Sequence, residues 1–520
     1  MGDSTDKKKK NSTREDFGAA APGSAAFVEK PSVTEHQIQI GGQTVSYKAT
    51  AGTMLLKNDK DEPAARVYYT AYTRTDVPDA GKRPVSFIYN GGPGSSSAWL
   101  HMGAFGPKRV VTSDAAPTPP PPYDVADNPN SLLDKTDMVF IDPVGTGFSH
   151  TVGKGKNEDF WGVDQDIDSL TQFVSKYVSE NNRWNSPKFL IGESYGTFRS
   201  AALVNSIQSK ENMAFNGVVL MSSVLDFSTL SFPRGADMPY VLYLPTYAAT
   251  AAYHGLVKDR PANLDTFLAQ AKEFATGEYA AALMKGSKLG EAERAAVAEK
   301  LAHFTGLSED YLLKSDLRVP LPQFMAELQR SRGLITGRLD SRFSGPAGDL
   351  IQSGTDRDPQ SDAVSGAFTA AFNSYVRNEL KYNPDRRYDL LNYTANAEWS
   401  WDRDGQEAAY PNVEDDLVQA MLANPNLKIE VENGLYDLAT PFFATEYTMD
   451  HLGLPPSLRD NIHLNNYDAG HMMYLREQDL AKLKNNIAAF IDRNARPAPA
   501  PLLSQLPFPD SSLKDGPAHA

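Results

Sequence analysis

Short apolar runs closed by glycine or aspartate recur through the first 230 residues. Val85-Ser-Phe-Ile-Tyr89, Met138-Val-Phe-Ile141, Lys188-Phe-Leu-Ile191 and Asn216-Gly-Val-Val-Leu-Met221 have the length and β-branched, aromatic character of strands buried on both faces. Ahead of them, Gln37-Ile-Gln-Ile40 and Gln43-Thr-Val-Ser-Tyr47 alternate around Gly41-Gly42, which predicts a hairpin. Val67-Tyr-Tyr-Thr-Ala-Tyr72 continues as a strand expected on an exposed edge. Between the second and third buried runs, Val163, Ile167, Leu170, Phe173, Val174 and Val178 recur at helical spacing and predict a helix within 162–182. Strands alternating with helices call for a mostly parallel α/β sheet.

From about residue 232 to 400 the pattern becomes helical. Leu264, Phe267, Leu268, Ala271 and Phe274 fit one helix face, and residues 289–304 and 364–380 follow the same period. After 412 the sheet pattern returns, with a helix, the strand Leu427-Lys-Ile-Glu-Val431 and a terminal helix near 477–493. The expected organisation is a first core part over 31–231, an inserted helical cap over 232–400 and a second core part over 401–495. Residues 1–30 and 496–520 are too polar, or too rich in Pro and Ala, to bury a core and are expected as tails. The proline run Pro119 to Pro122 marks a stiff surface loop within the first part.

Composition narrows the function classes. The 520-residue chain carries a formal charge of −14 and has no cysteine. Net negative charge disfavours a nucleic-acid-binding surface, because counterion release needs clustered Lys and Arg. The one basic block, Lys7 to Lys10, sits in the polar start. Disulfides, thiolate chemistry and Cys-ligated metals are excluded together. No apolar run reaches the length of a membrane span, and residues 1–30 have no apolar h-region of a signal peptide. The compartment and the oligomeric state stay open.

The sharpest chemical pattern is Gly192-Glu193-Ser194-Tyr195-Gly196, directly after a predicted strand and before helix-compatible residues. In that context Gly-x-Ser-x-Gly is a nucleophile elbow, whose glycines leave room for a serine on a strained turn. A serine hydroxyl needs a base, and the base an orienting carboxylate. Of the late histidines, His519 lies in the tail, His451 has no preceding strand, and His463 falls inside the candidate strand Asn461–Leu464. His471 hangs on the loop after that strand and is the candidate base. Asp437 lies just past Val431, at a strand end where open α/β sheets place their chemistry; Asp468 is the rival acid. Asn90-Gly91-Gly92-Pro93-Gly94 follows Val85–Tyr89 and, with the N–H of Tyr195, can form an oxyanion hole. A phosphate loop is the competing reading, but no Lys with Ser or Thr closes a Walker pattern. Nothing in the chain calls for a metal or a cofactor.

Together these blocks resemble the serine carboxypeptidase family, of a bacterial type. The matching residues are Asn90-Gly-Gly-Pro-Gly-Ser-Ser96, Ile141-Asp-Pro-Val-Gly-Thr-Gly-Phe-Ser149, Gly192-Glu-Ser-Tyr195, Asn433-Gly-Leu-Tyr-Asp437 and Ala469-Gly-His-Met472, in family order. The resemblance implies an α/β-hydrolase fold with a central, mostly parallel sheet, flanking helices and an inserted helical cap. It implies Ser194 as nucleophile, His471 as base, Asp437 as orienter, and the Gly92 and Tyr195 N–H groups as oxyanion donors. Asn90, the Gly91 backbone and Glu193 would hold the free carboxylate of a peptide substrate, with Met472 bordering the pocket for the departing residue. Glu193 binds a carboxylate only when protonated, so burial should favour acidic pH.

The chain departs from the family at one point of that recognition. The second glutamate that relatives carry after the Gly-rich loop is replaced by Ala104; Ser95 stands for the family's cysteine. Esterase or acyltransferase chemistry on the same triad therefore stays open, as does a non-catalytic binding protein. Relatives are mostly secreted, lysosomal or periplasmic, while the chain as given shows no targeting segment.

Overall fold

A computed structural model describes residues 30–258, 261–407 and 409–495. The two expected tails lie outside the described residues, save Lys30. The chain opens on three antiparallel strands, β1 (Ser32–Ile40), β2 (Gln43–Lys57) and β3 (Pro63–Arg74). The hairpin turns at Gly41-Gly42, with Ile40 opposite Gln43. β4 (Val85–Tyr89) follows, then a small hairpin of β5 (Lys108–Val110) and β6 (Val125–Asp127), then β7 (Asp137–Ile141) and the two-residue β8 (His150–Thr151). Helix α1 (Val163–Glu180), β9 (Lys188–Glu193), helix α2 (Tyr195–Glu211) and β10 (Gly217–Met221) complete the first part. A second small hairpin, β11 (Leu334–Thr336) with β12 (Ser344–Pro346), precedes the last sheet strands, β13 (Lys428–Gly434) and β14 (Ile462–Tyr467).

Ten strands join one sheet in the order β1-β2-β3-β7-β4-β9-β10-β13-β14, with β8 pairing β3. From β7 to β14 every pairing is parallel, so their C-terminal ends share one edge. Tyr89 lies opposite Gly192, and Met221 lies between Glu193 and Glu432. The central strands β4, β7, β9 and β10 are buried along their whole length, which explains their unbroken apolar runs. β3 differs from expectation. It is an interior strand, held between β2 and β7, because the hairpin of β1 and β2 continues the sheet beyond it and β1 forms the edge.

Two apolar clusters sandwich the sheet. Residues 232–400 divide between cores. Helices Met238–Tyr253, Leu264–Phe274 and Glu291–Thr305 pack round a third cluster through Tyr247, Phe267, Phe274 and Leu301. The helix Pro359–Asn378 instead buries Phe368, Phe372 and Tyr375 in the cluster under the sheet. No helix of the described residues is long and apolar enough to cross a membrane.

Candidate active site

β9 ends at Glu193 and α2 starts at Tyr195, so Ser194 alone turns the chain, at φ 62° and ψ −132°. That backbone region is costly for any residue with a Cβ, and only tight surroundings hold it. The surroundings are tight. A Cβ on Gly192 would stand 2.2 Å from the Gly196 carbonyl oxygen, and one on Gly196 would stand 3.1 Å from that of Tyr89. Gly192 is therefore required by packing, and Gly196 sits tightly against the end of β4. The Ser194 N–H donates to the Met221 carbonyl at 2.9 Å, tying the bend to β10.

His471 hangs beyond β14, and Asp437 beyond β13. The ring's Nδ1 lies 2.7 Å from Asp437 Oδ2; an ionised carboxylate only accepts, so Nδ1 carries the proton. Asp437 is fully buried. Its Oδ1 accepts from the Ala439 and Thr440 N–H groups, and its Oδ2 from the Thr440 hydroxyl at 2.7 Å. Those bonds lock the carboxylate's plane. Burial works against a charged His471 ring, but Asp437, and beyond it Glu193, outweigh burial and raise the ring above the ordinary histidine value. The Ser222 hydroxyl donates to the His471 carbonyl at 2.8 Å. Serine bend and histidine loop are thus pinned to the adjacent residues Met221 and Ser222. Both hydrogen bonds found for the ring run through Nδ1, and among the described residues none joins Nε2 to the Ser194 hydroxyl.

The loop after β4 closes on the elbow. A Cβ on Gly91 would stand 2.4 Å from the Tyr195 nitrogen and 2.8 Å from the Glu193 oxygen, so only glycine fits. Gly92, at φ +106°, turns the loop beside it. The N–H of Tyr195 belongs to the first turn of α2, where no intrahelical carbonyl is available. Asn90 Nδ2 donates to Glu193 Oε1 at 2.7 Å, while its Oδ1 accepts from the Leu100 N–H at 3.0 Å. Burial pushes the Glu193 carboxyl up to about 7; the Asp437 charge adds to this, and His471, Tyr474 and Asn90 oppose it. Met472 is buried, its sulfur accepting from Gln360 Nε2 at 2.9 Å.

Asn90, Gly91, Glu193, Ser194, Tyr195, Asp437, His471 and Met472 are therefore brought to one sheet edge, with Gly92 beside them. The rivals are not. His463 is largely exposed and bonds Glu430, and Asp468 is exposed with Arg476 3.8 Å away. His451 is exposed at a helix end, where its Nδ1 lies 2.7 Å from the Tyr447 carbonyl.

Several supporting residues carry no sequence signature. Arg199, fully buried, pairs with Asp166 at 2.6 Å, donates to the Asn90 carbonyl at 2.7 Å and lies over the Tyr195 ring. Asp340, buried and paired with Arg342 at 2.6 Å, accepts from the Gly470 N–H at 3.1 Å, next to His471. The Leu339 carbonyl takes the His471 N–H. Tyr474 packs its ring on Gly103 beside Ala104. Hyphenated motifs do not reveal such partners, because each comes from a segment remote in sequence or from an unremarkable position.

Among solved structures, the chain is similar to Kex1(delta)p, a prohormone-processing carboxypeptidase from Saccharomyces cerevisiae. The identity is 17%, the match covers 86% of this chain and 91% of that one, and the TM-score is 0.55. A proline iminopeptidase from Mycobacterium smegmatis matches at 13% identity over 86% of this chain and 98% of that one, with a TM-score of 0.36. A search of the curated proteins gives no match. The family model described as serine carboxypeptidase matches residues 41–482. With that match spanning most of the described chain and the α/β-hydrolase fold around it, the protein belongs to the serine carboxypeptidase family of hydrolases.

Proposed function

We propose that Ser194, His471 and Asp437 carry the family's reaction on peptides with a free C-terminus. The observation that carries this reading is the shared anchoring of bend and loop on Met221 and Ser222, with the His471 ring already oriented by Asp437. Ser194 Oγ attacks the last peptide carbonyl, and its proton passes to His471 Nε2, the ring nitrogen not held by Asp437. Catalytic hydrogen bonds of this kind are commonly long in a free enzyme and tighten on the substrate. The oxyanion faces the N–H groups of Gly92 and Tyr195. Collapse breaks the C–N bond, His471 protonates the departing amine, and an acyl ester remains on Ser194. Water then gives His471 a proton and attacks the ester; the shortened peptide leaves and Ser194 regains its proton.

Asn90, Gly91 and protonated Glu193 hold the terminal carboxylate, with Met472 against the departing residue. The helices between Met238 and Glu327 form the cap that selects that residue. Their apolar cluster includes Leu435, Tyr436 and Leu438, which flank Asp437. The decisive test is hydrolysis of N-blocked dipeptides. Ser194→Ala is expected to lose at least ~10³-fold in kcat with the fold intact; a fully active variant would remove Ser194 from its role.

A second reading, esterase or acyltransferase chemistry on the same triad, is favoured by Ala104, which leaves one carboxyl where relatives have two. Simple esters cut with blocked peptides untouched would select it.

A further inference from the structure

One corner of the site holds two polar atoms that face each other without completing a hydrogen bond of good geometry. Glu193 Oε2 and the Tyr474 hydroxyl are both buried, and among the described residues neither makes a hydrogen bond of good geometry. Tyr474 sits in the short turn Met473–Leu475, three residues after His471. Its hydroxyl faces both Glu193 and Asn90, near enough to interact with each without completing a good hydrogen bond. A buried hydroxyl and a buried carboxyl oxygen left unpaired are both unfavourable. Buried polar atoms of this kind are placed to bind a further polar group.

The ring reaches this corner because of what faces it. The turn Leu100–Phe105 is wholly buried and presents Gly103 and Ala104. A Cβ on Gly103 would stand 2.5 Å from Tyr474 Cε2 and 3.1 Å from Phe368 Cζ. Gly103 leaves the volume the ring occupies, and it is the chain neighbour of the Ala104 that thins carboxylate recognition.

We propose that Tyr474 is a specificity-determining residue whose hydroxyl donates a hydrogen bond to the terminal carboxylate of the substrate, completing a receptor with Asn90 and Glu193. This rests on the carboxypeptidase reading of the site. The chemistry suits the task. Burial and the neighbouring Glu193 hold the phenol well above its ordinary range, so it stays a donor at any working pH and adds no negative charge against the carboxylate. A phenol also has a single proton to give, which suits one carboxylate oxygen. One carboxyl, one amide and one phenol then supply the donors.

The test compares N-blocked dipeptide acids with the corresponding C-terminal amides. The wild-type enzyme is expected to prefer the acids. Tyr474→Phe should raise KM for the acids about tenfold, the loss of one hydrogen bond to a charged group, with kcat little changed, so that the acid-to-amide ratio of kcat/KM falls by the same factor. A merely structural role for the ring would leave that ratio alone. Calorimetric binding of the same acids and amides to Ser194→Ala and to Ser194→Ala with Tyr474→Phe gives a readout free of turnover and should show the same tenfold selective loss. Should the phenylalanine variant not fold, Gly103→Ala, whose methyl displaces the ring, carries the same expectation. An unchanged ratio in Tyr474→Phe overturns the assignment of Tyr474 and leaves the carboxypeptidase reading standing. A wild-type enzyme indifferent to acid or amide overturns both.

Discussion

On the proposed roles of Glu193 and His471, a free-acid substrate is cut when the two hold opposite protonation states: the carboxyl protonated, the imidazole neutral. The site pushes both toward holding their protons. Burial takes Glu193 up to about 7, and Asp437 keeps His471 above its ordinary value despite burial. As pH rises, His471 becomes an effective base while Glu193 turns into an anion facing an anion. Because the two groups interact, the limbs of the profile belong to the pair. The expected profile of kcat/KM for blocked dipeptide acids is a bell with a falling limb near neutrality. Ester substrates, which present no carboxylate, should keep only the rising limb. Glu193→Gln should flatten the falling limb for the acids, since an amide donates at every pH. Identical profiles for acids and esters would show that Glu193 does not face the substrate carboxylate. Gly91→Ala belongs to the same scale. Its methyl would stand 2.4 Å from the Tyr195 nitrogen, and backbone on both sides cannot yield, so a loss of at least ~10²-fold in kcat is expected from a displaced oxyanion donor.

At the scale of elements, the site is a junction of strand ends and loops from four parallel strands, with a clamp from the region before β12. Ser341 N–H donates to the Tyr436 carbonyl and Leu438 N–H to that of Arg338, while Leu339 and Asp340 hold the His471 loop. A Cβ on Gly470 would stand 2.4 Å from Asp340 Cβ, which shows how closely the clamp seats. Removing the Asp340 carboxylate leaves the Arg342 guanidinium, itself nearly buried, to the half-exposed Asp114 carboxylate at 3.1 Å among the described residues. Breaking a buried pair at one partner costs about 3–5 kcal/mol. Asp340→Ala should therefore lower the urea midpoint markedly and reduce kcat more than it raises KM, because the His471 loop loses its anchor while the carboxylate corner stays intact. Unchanged kcat in the folded variant would separate the clamp from catalysis. Much at this scale was legible from pattern alone: the helices over 162–182 and 477–493 stand as Val163–Glu180 and Glu477–Asn494. β3 was misplaced at an edge because the second arm of the predicted hairpin, read only to Tyr47, runs on to Lys57 and pairs with β3 along its length.

For the whole molecule, buried carboxyls set the pH dependence of stability. Glu432 on β13 accepts from the Tyr467 hydroxyl at 2.6 Å, yet burial, reinforced by Glu430, pushes it up to about 8. Burial likewise takes Asp142 up to about 6. A carboxyl raised on folding binds more protons in the native state, so its contribution is full below the unfolded value near 4.5 and is lost as pH climbs through the folded one. For Glu432 the window is about 4.5 to 8. Unfolding free energy should decline across that window, and Glu432→Gln should recover more than about 1 kcal/mol of the decline at its upper end. A stability curve that rises from pH 5 to 8, or that Glu432→Gln leaves unaltered, would exclude this origin.

The residues decided what kind of chemistry the chain holds. Gly-x-Ser-x-Gly after a buried strand, a Gly-rich loop after an earlier one, and an aspartate and a histidine at later strand ends are local signals, because backbone strain and strand periodicity act over a few neighbouring positions. Only the tertiary structure decided how those groups are held: that Met221 and Ser222 tie the bend to the histidine loop, that Arg199 and Asp166 fix the Asn90 carbonyl, that Asp340 braces Gly470, and that Tyr474 enters the space Gly103 leaves. These contacts join segments separated by many tens of residues, and the packing that brings them together is a property of the sheet order and the folded core rather than of any short stretch.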